Sequence, residues 1–470
     1  MKGMTLQKIT EACGGELHIH IGKELVPAVL LKEAASVVID SRKAEPDCIF
    51  IATKGERVDG HSFIPQVLKA GALGIVCEQE PAAGTDGCFI VVQDSFQALK
   101  DIAQYYRSVL PVKTVGITGS VGKTSTKEMI ASVLSKRFFI WKTAGNFNNE
   151  VGVPLTIFGI REEHEIAVLE MGISDFGEMD RLSRIVRPDV CVMTNIGPCH
   201  LENLKSLDGV LKAKSEIFHF MDPDGTVCIN GDDEKLKTIR EVNKKPPVCF
   251  GRGMENDVYA TDLVSHGLEG TSCTIHTKAG VFDVKIPLPG SHMADNALAA
   301  AAVGLVFSMT PDEIKRGIES VEGMSGRSHL IRTENYLLVD DCYNANPKAM
   351  QAAIDLLSQA EGRKVAILGD MFELGEDSDQ LHAKTGRYAA VHAVDVLLCV
   401  GTQSKYMYEA ATAIAAGNDM QLYYYESREE LLEKLRKEAL LQKGDTILIK
   451  ASHGMGFEKV VEFLQTYGIK

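Results

Sequence analysis

A segment in the first third of the chain has the residue types that bind a nucleotide phosphate. A short apolar run leads into Gly119 and Gly122, after which Lys123 and Thr124 open a helical pattern. The glycines permit a tight turn whose N–H groups surround a phosphate, the lysine supplies a positive charge, and the threonine supplies a hydroxyl for Mg²⁺. Ile117 stands where the standard motif has its first glycine, so a plain glycine turn that opens a helix stays open as an alternative.

A second candidate is a lysine on the apolar face of a predicted helix over residues 210–218. The apolar residues of this segment form one stripe that includes Lys214, whereas Lys212 falls on the polar face. Lys214 can extend its ammonium to solvent, or burial can lower its pKa and leave a neutral amine. A neutral amine can react with carbon dioxide to form a carbamate, an anion that is able to bind Mg²⁺. The residues alone leave both readings open.

The elements around these residues predict an α/β protein. Short apolar runs alternate with helical patterns, which is typical of mostly parallel sheets covered by helices. We predict a small mixed α/β N-terminal domain over residues 1–110, a central phosphate-loop ATPase domain with a mostly parallel sheet over 111–320, and a C-terminal Rossmann-like α/β domain over 321–470. A more β-rich section over 258–284 interrupts the central domain.

Polar residues follow the predicted strands of the two larger domains. Because ligands bind at the carboxyl ends of parallel strands, this pattern predicts a shared cleft between those domains. A helix cap is the alternative for any single aspartate. Besides the phosphate loop, the residues concerned are Glu170, Asn195, His200, Asp340, Asp341, Asp370 and Lys450.

The composition narrows the class of protein. A net charge of −14 over 470 residues makes nucleic acid or an anionic membrane an unfavourable general partner. The 11 cysteines include no C-x-x-C pair, which favours a reducing compartment. No apolar run approaches the roughly 20 residues of a membrane span, and the N-terminus lacks a signal-peptide core. We therefore expect a cytoplasmic protein without membrane insertion.

The chain resembles the Mur ligases of peptidoglycan synthesis, in particular the members that add D-alanyl-D-alanine. The resemblance runs nearly end to end, and the combination of motifs is far more specific than the phosphate loop alone. The matching stretches are 40–42, 54–61, 118–128, 146–155, 170–172, 195–202, 212–217, 340–347 and 369–375.

This resemblance implies roles for residues in each domain. In the first domain, Ser41, Arg42, Lys54 and the rest of the loop 54–61 would hold a UDP-sugar, with a surface salt bridge as the alternative for Arg42 and Lys54. The implied nucleotide contacts are Gly119, Ser120, Gly122, Lys123, Thr124, Ser125, Asn296, Arg327 and Asp341. The implied Mg²⁺ ligands are Thr124, Glu170, His200 and carbamylated Lys214. The implied further substrate contacts are Asn146, Asn149, Asn344 and Asn346.

The reaction implied by the resemblance is ATP-driven amide formation. The carboxylate of UDP-N-acetylmuramoyl-tripeptide would attack the γ-phosphate to form an acyl phosphate, and the amine of D-alanyl-D-alanine would displace phosphate. Lys123, Lys214, His200 and Arg327 would be the catalytic residues, in a monomer whose ATP site is completed when the domains close. His200 taken alone is more often a packed histidine than a ligand.

Two departures and two alternatives accompany this interpretation. The family usually ends its third domain in Lys-Gly-Ser-Arg, whereas this chain has His453 in the last position, and Met293 replaces the usual asparagine beside the adenine. These changes concern recognition of the dipeptide and the adenine rather than the phosphate chemistry. The alternatives are a folylpolyglutamate synthase or another Mur-type amide ligase, and a phosphate-loop switch protein that hydrolyses a nucleotide to change partners.

Overall fold

The computed structural model of the chain describes residues 1–55, 58–80, 84–415 and 419–466. Glu56 and Arg57, which belong to the predicted substrate loop 54–61, lie outside the described residues. The described chain forms two compact units. The first comprises Met1–Thr261, Thr274–Asp283 and Asp295–Ile318, and the second comprises Asp262–Cys273, Val284–Ala294 and the chain from Glu319 onward. The domain limits at 110/111 and 320/321 stay predictions.

The first sheet is mixed. In the order β1-β5-β4-β3-β2, strand β1 is antiparallel to β5 and the others are parallel. Its strands are β1 (Glu16–His20), β2 (Val37–Val38), β3 (Ile49–Ile51), β4 (Gly74–Cys77) and β5 (Gly87–Val91). The helices of this part are α1 (Leu6–Cys13), α2 (Val26–Leu31), α3 (Ile64–Lys69) and α4 (Ser95–Val109).

The central sheet carries the phosphate loop. In the first unit its parallel order is β12-β11-β10-β9-β6-β8-β7. The strands are β6 (Lys113–Thr118), β7 (Ile140–Lys142), β8 (Ile166–Glu170), β9 (Val190–Met193), β10 (Thr226–Asn230), β11 (Val248–Gly251), β12 (Val258–Ser265), β13 (Thr271–Thr277) and β14 (Gly280–Ile286). The helices are α5 (Lys123–Leu134), α6 (Gly152–Phe158), α7 (Glu178–Val186), α8 (Leu201–Leu204), α9 (Leu207–Ser215), α10 (Met293–Val306) and α11 (Pro311–Glu319).

The last sheet lies in the second unit. Its order is β15-β16-β20-β17-β18-β19, with β15 antiparallel to β16 and the remaining pairs parallel. The strands are β15 (His329–Arg332), β16 (Leu337–Asp340), β17 (Lys364–Gly369), β18 (Val396–Val400), β19 (Gln421–Tyr425) and β20 (Thr446–Lys450). The helices are α12 (Pro347–Ser358), α13 (Ser378–Val391), α14 (Ser404–Ala415), α15 (Arg428–Lys437) and α16 (Glu458–Thr466).

Helix α4 joins the first sheet to the central part of the first unit. Asp94 caps it by accepting the N–H groups of Phe96 and Gln97 at 2.8 and 2.9 Å. Near its other end, the Tyr106 hydroxyl donates to the Ile160 carbonyl at 2.7 Å and the Arg107 guanidinium donates to the Val186 carbonyl at 3.0 Å. Both side chains are buried. These non-local bonds hold the central domain against the helix that follows the first sheet.

The predicted α/β class is confirmed, and the predicted helix over 210–218 differs from the observed one at both ends. The helix expected over 210–218 begins earlier, at Leu207, because the Ser206 hydroxyl accepts the Gly209 N–H at 3.1 Å and caps it. It ends at Ser215 and continues as a 3₁₀ turn over Glu216–Phe218. Within the described ranges, no helix has both the length and the apolar composition needed to span a membrane.

Candidate active site

The phosphate loop connects β6 to α5. Gly119 has φ 152° and Gly122 has φ 82°, backbone conformations that favour glycine. A Cβ atom on Gly119 would lie 2.0 Å from the Thr194 hydroxyl, so this position also has no room for a side chain. Lys123 and the buried Thr124 open α5, and the Lys123 ammonium donates to the Gly119 carbonyl at 2.9 Å. The local structure thus has the glycine turn and helix N-terminus that a phosphate requires.

The loop after β9 is hydrogen-bonded to the phosphate loop. The Ser120 N–H donates to the Asn195 carbonyl at 3.0 Å, and the Val121 N–H donates to Asn195 Oδ1 at 3.0 Å. The Thr194 hydroxyl donates to the Val121 carbonyl at 2.7 Å. In the parallel register, Thr118 pairs with Met193, so the two loops leave neighbouring strands at the same edge of the sheet. Asn195 therefore shapes the phosphate loop.

Glu170 ends β8, directly beside β6. It pairs with Ile117 in the sheet register and is 1% exposed. Its Oε1 accepts a hydrogen bond from Asn148 Nδ2 at 2.7 Å. In the part of the chain that the structure describes, its buried Oε2 has no hydrogen-bond partner. Such an oxygen is a position that a bound cation would satisfy.

Lys214 lies inside α9 and is 1% exposed, so the structure has the buried one of the two alternatives that the sequence left open. Burial, with a contribution from the positive charge of Lys123, lowers the pKa of Lys214 to about 8. Among the described residues, its Nζ makes no hydrogen bond or ion pair. A neutral amine is therefore accessible at moderate pH.

His200 and Asn296, two further predicted site residues, differ in burial. His200 is exposed and has φ 49°, an uncommon conformation for a non-glycine residue, at the start of α8. Asn296 is buried in α10, and its Oδ1 accepts a hydrogen bond from the Thr126 hydroxyl of α5 at 2.9 Å. The structure thus brings Asn296 to the phosphate-loop helix, while a ligand role for His200 stays a prediction.

In the second unit, Lys450 and Asp341 form an ion pair at the ends of β20 and β16. Lys450 is 3% exposed, and its Nζ lies 2.5 Å from Asp341 Oδ2 and 2.9 Å from the Asn344 carbonyl. The Arg327 guanidinium lies 4.3 Å from the centre of the Tyr343 ring, and the His453 ring lies 5.4 Å from it. Polar side chains therefore do gather at the carboxyl ends of these strands.

Three family models match successive parts of the chain. They are described as Mur ligase family, catalytic domain (residues 33–115), Mur ligase middle domain (117–304) and Mur ligase, glutamate ligase domain (326–453). The UDP-N-acetylmuramoyl-tripeptide--D-alanyl-D-alanine ligase of Bacillus subtilis (strain 168) is 38% identical over 91% of this chain and 92% of its own length. The chain belongs to the Mur ligase family. The Escherichia coli (strain K12) ligase of the same name is 35% identical to this Mur ligase over 100% of both chains.

Solved structures agree with this membership. A MurF structure from Acinetobacter baumannii has a TM-score of 0.88 and 32% identity, covering 99% of both chains. The Thermotoga maritima MurF ligase in complex with ADP has a TM-score of 0.74 and 29% identity over 92% of this chain and 97% of that one. A Mycobacterium tuberculosis folylpolyglutamate synthase, at 16% identity, a TM-score of 0.59 and coverage of 80% and 95%, shares the fold alone.

In the N-terminal domain of this Mur ligase, the predicted UDP-sugar residues lie on turns. The Arg42 side chain is 85% exposed and is bound by both oxygens of Asp40, at 2.9 and 2.8 Å, which lowers the pKa of Asp40 to about 2. Ser41 and Arg42 lie in a 3₁₀ turn over Ser41–Lys43. Lys54 is exposed and forms an isolated backbone bridge with Asp59. The salt-bridge alternative for Arg42 is thus present, and its contact with a substrate stays a prediction.

Several predicted ligand residues of this Mur ligase also have structural roles. Asn149 Oδ1 accepts the Gly152 N–H at 2.8 Å at the start of α6, and Asn346 Oδ1 accepts the Ala349 N–H at 2.9 Å at the start of α12. Asp370 Oδ1 accepts both the N–H and the hydroxyl of Ser404, each at 2.7 Å. The helix-cap alternative therefore describes how Asp370 is used. Asn146, Asn344 and the half-buried Ser125 stay predicted contacts.

Sequence reasoning missed the residues that surround Glu170 in this Mur ligase. Lys127 of α5 is fully buried, with its Nζ 3.9 Å from Glu170 Oε2, and Asn148 holds Glu170 Oε1. The sequence pattern could have indicated the burial of Lys127, because this lysine shares a helix face with Ile130, Ala131 and Leu134. The same pattern placed Lys214 among apolar residues. Asn148 lies in the matching stretch 146–155, for which the resemblance implied roles only for Asn146 and Asn149.

The residues at the β6 and β8 ends fit Mg²⁺ with a nucleotide. Mg²⁺ prefers oxygen ligands and usually keeps waters and substrate phosphates in its shell. Glu170 Oε2, which lacks a hydrogen-bond partner in the described part of the chain, and the buried Thr124 on the first turn of α5 are ligands of that type. Among the described residues, no three His, Cys, Asp or Glu side chains are grouped as a ready metal site. A metal here would therefore depend on phosphate, water or a modified side chain.

Proposed function

We propose that this Mur ligase joins D-alanyl-D-alanine to UDP-N-acetylmuramoyl-tripeptide with conversion of ATP to ADP, forming the pentapeptide precursor of peptidoglycan. The observation that carries the proposal is identity of 35–38% with ligases of this name over 91–100% of the chain. The glycine turn before Lys123 supports the use of ATP, as does the solved complex of the Thermotoga relative with ADP. A likeness limited to the fold gives no comparable support to a folate-type ligase.

In the proposed reaction, the tripeptide carboxylate attacks the γ-phosphorus of ATP, ADP leaves, and the dipeptide amine then displaces phosphate from the acyl phosphate. The N–H groups at the start of α5 and the Lys123 ammonium bind the phosphates. Thr124 and Glu170 would hold Mg²⁺, which when bound neutralises phosphate charge. We retain His200 as a further ligand, and Asn296, Arg327 and Asp341 as nucleotide contacts, within this proposal.

Lys214 is proposed to act as a carbamate. Support comes from its burial, its lowered pKa of about 8 and the lack of a partner for its Nζ among the described residues. Carbon dioxide would add to the neutral amine with loss of a proton, and the resulting anion would be a further oxygen ligand. The negative charge would also remove the repulsion between the Lys214 and Lys123 ammonium groups.

Chemical rescue tests the carbamate. The variant Lys214→Ala is expected to lose most turnover and to regain part of it with short carboxylic acids, which supply a carboxylate in place of the carbamate. Lys212→Ala, which alters a lysine on the polar face of the same helix, is the matched control and should keep its activity without acid. Undiminished turnover in Lys214→Ala would remove the carbamate from the proposal.

The substrate contacts complete the proposal. Ser41, Arg42 and Lys54 are assigned to the UDP-sugar, and Asn146, Asn149, Asn344 and Asn346 to the peptide substrates. His453 would stand near the dipeptide in place of the arginine usual in the family. We further propose that the enzyme acts in the cytoplasm, because all 11 cysteines are free thiols. A monomer remains our prediction.

Phosphate release is the deciding measurement. ATP and Mg²⁺ are supplied with UDP-N-acetylmuramoyl-tripeptide, with and without D-alanyl-D-alanine, and the nucleotide-sugar product is identified by mass. Release that requires both substrates and yields the pentapeptide is expected. Lys123→Ala should lower turnover by about 100-fold or more while the fold is kept, whereas the exposed Lys136→Ala should not. Release without either substrate would instead favour a nucleotide switch.

A further inference from the structure

Lys127 is a fully buried lysine that the proposed phosphate chemistry does not use. It lies one turn after Lys123 in α5 and is 0% exposed. A buried ammonium is costly unless charges and hydrogen bonds compensate for its lost hydration. Its Nζ donates to the carbonyls of Thr143 and Gly145 at 2.7 and 3.0 Å and lies 3.2 Å from Glu128 Oε1. The lysine is thus firmly attached to the segment that follows β7.

That segment, residues 143–149, also holds Glu170. We call it the asparagine loop. The Thr143 hydroxyl accepts the Glu170 N–H at 3.0 Å, and Asn148 Nδ2 donates to Glu170 Oε1 at 2.7 Å. The Gly172 N–H donates to the Asn148 carbonyl at 2.8 Å and so ties the loop to the chain after β8. Glu170 is therefore oriented by the loop that Lys127 anchors.

The contacts of Lys127 distinguish anchoring from simple charge compensation. Its two short bonds go to loop carbonyls, whereas its distance to Glu170 Oε2, 3.9 Å, is beyond a hydrogen bond. Glu170 consequently has one oxygen fixed by Asn148 and one without a hydrogen-bond partner among the described residues. If the Lys127 ammonium only faced the site, its positive charge would weaken Mg²⁺ binding. If it instead orders the Glu170 carboxylate, which is the metal ligand, it strengthens Mg²⁺ binding.

We propose that Lys127 is a positioning residue for the Mg²⁺ site: it anchors the asparagine loop so that Asn148 holds Glu170 Oε1 and Glu170 Oε2 is presented to the metal. The inference rests on the proposed function, in which Glu170 binds Mg²⁺. Lys127 itself touches neither substrate nor metal. Its effect is transmitted through the carbonyls of Thr143 and Gly145 and the amide of Asn148.

The test measures Mn²⁺ binding in the presence of ADP by electron paramagnetic resonance, which needs no turnover. Lys127→Met, which is similar in length but uncharged, is expected to weaken Mn²⁺ binding by about tenfold or more. Lys127→Arg, which keeps the cationic donor, should restore most of it. Lys142→Met is the matched control, because Lys142 also pairs with Glu128 but its side chain is 44% exposed. The Lys142→Met protein should bind Mn²⁺ as the unaltered protein does.

The outcomes separate this inference from the proposed function. Unaltered Mn²⁺ affinity, or tighter binding, in a folded Lys127→Met protein would overturn the positioning role. Absence of Mn²⁺ binding in the unaltered protein with ADP would instead overturn the metal site. Amide hydrogen exchange should be faster at residues 143–149 in the methionine variant, and circular dichroism checks its fold. If that variant does not fold, Lys127→Gln is compared with the unaltered protein under the same criteria.

Discussion

The charged residues predicted to bind ligands differ in how many of their polar atoms already have a hydrogen bond within the protein. Lys123 is bound to a carbonyl of its own loop, Glu170 has one oxygen held by Asn148 and one without a hydrogen-bond partner among the described residues, and the Lys214 amine makes no hydrogen bond there. Asp370, by contrast, is used by Ser404. At this scale, the uncommitted atoms indicate where ligands would bind, and the residue type alone does not.

The lowered pKa of Lys214 predicts a pH dependence of stability. Below pH 8 the folded state must bury a charged amine, whereas the unfolded lysine keeps a pKa near 10.5. Between these values the unfolded state binds more protons, so this contribution to the free energy of unfolding rises with pH. In carbon dioxide-free buffer, urea unfolding should show a gain of about 2 kcal/mol between pH 7.5 and 9.5 relative to Lys214→Met. Parallel curves for the two proteins would contradict the shift.

At the scale of elements, the phosphate loop and the helix starts show how backbone geometry limits the residue choice. Gly119 combines a φ of 152° with a close approach to Thr194, and Gly122 precedes α5 at φ 82°. Several helices begin at a side-chain oxygen that binds the first free N–H groups, as Asn346 does for α12. These local features place the site residues at element ends rather than within them.

Gly119→Ala is expected to disrupt the loop. The added Cβ would meet the Thr194 hydroxyl at 2.0 Å, so the turn must shift away from its phosphate-binding form. We expect the affinity for ADP, measured by calorimetry, to fall at least tenfold, or about 1.4 kcal/mol. Gly444→Ala is the control, because Gly444 also has a positive φ, 92°, but no atom within 4 Å of its Cβ position. That variant should lose about 1 kcal/mol of stability without losing ADP affinity.

Two roles of Asn346, capping of helix α12 and contact with a peptide substrate, can be tested separately. Asn346→Ala should lower the free energy of unfolding by about 1 kcal/mol, since it removes the acceptor for the Ala349 N–H, whereas Asn346→Asp keeps that acceptor and should be neutral. Denaturant unfolding measures this difference. If the aspartate variant keeps its stability but its KM for either peptide substrate rises, the amide contacts substrate as well. Equal stability of all three proteins would exclude the cap.

At the scale of the whole molecule, the thiols are distributed mainly through the interior. Eight of the 11 free cysteines are buried, and Cys13, Cys199 and Cys249 are half-buried. Burial raises the pKa of Cys228 to about 12 and raises that of Cys191 and Cys342 as well, which lowers the thiolate fraction at neutral pH. Burial and the raised thiol pKa therefore both lower the reactivity of the interior cysteines.

Thiol titration should reflect this distribution. With a chromogenic disulfide reagent at about pH 7.5, we expect no more than three thiols to react promptly in the native protein and 11 after denaturation. Cys199 Sγ lies 3.2 Å from the Ser120 hydroxyl of the phosphate loop, so ADP should slow the reaction of one of the three. Prompt reaction of many more thiols in the native state would show that the buried cysteines are accessible. The reductant-free protein is the required starting sample.

Much of the fold followed from periodicity in the sequence. The apolar run 396–400 predicts a strand, which the structure has as Val396–Val400, and the helical pattern over 96–110 predicts a helix, which the structure has one residue earlier as Ser95–Val109 because Asp94 caps its start. The antiparallel strands β1 and β15 were not predicted, because a short edge strand with partly exposed residues lacks the continuous apolar run of a buried parallel strand. Burial patterns are thus readable in the sequence where an element is covered on both faces.

The sequence by itself determined the α/β class, the glycine turn before α5, the place of Lys214 on an apolar helix face and membership of the ligase family, since each depends on local spacing or on an ordered set of motifs. Only the tertiary structure decided how the polar residues at strand ends are used. Asp370 binds Ser404, 34 residues away, and Glu170 is held by Asn148, 22 residues away. Periodicity encodes which side of an element is buried, but hydrogen-bond partners come from segments that folding alone brings together.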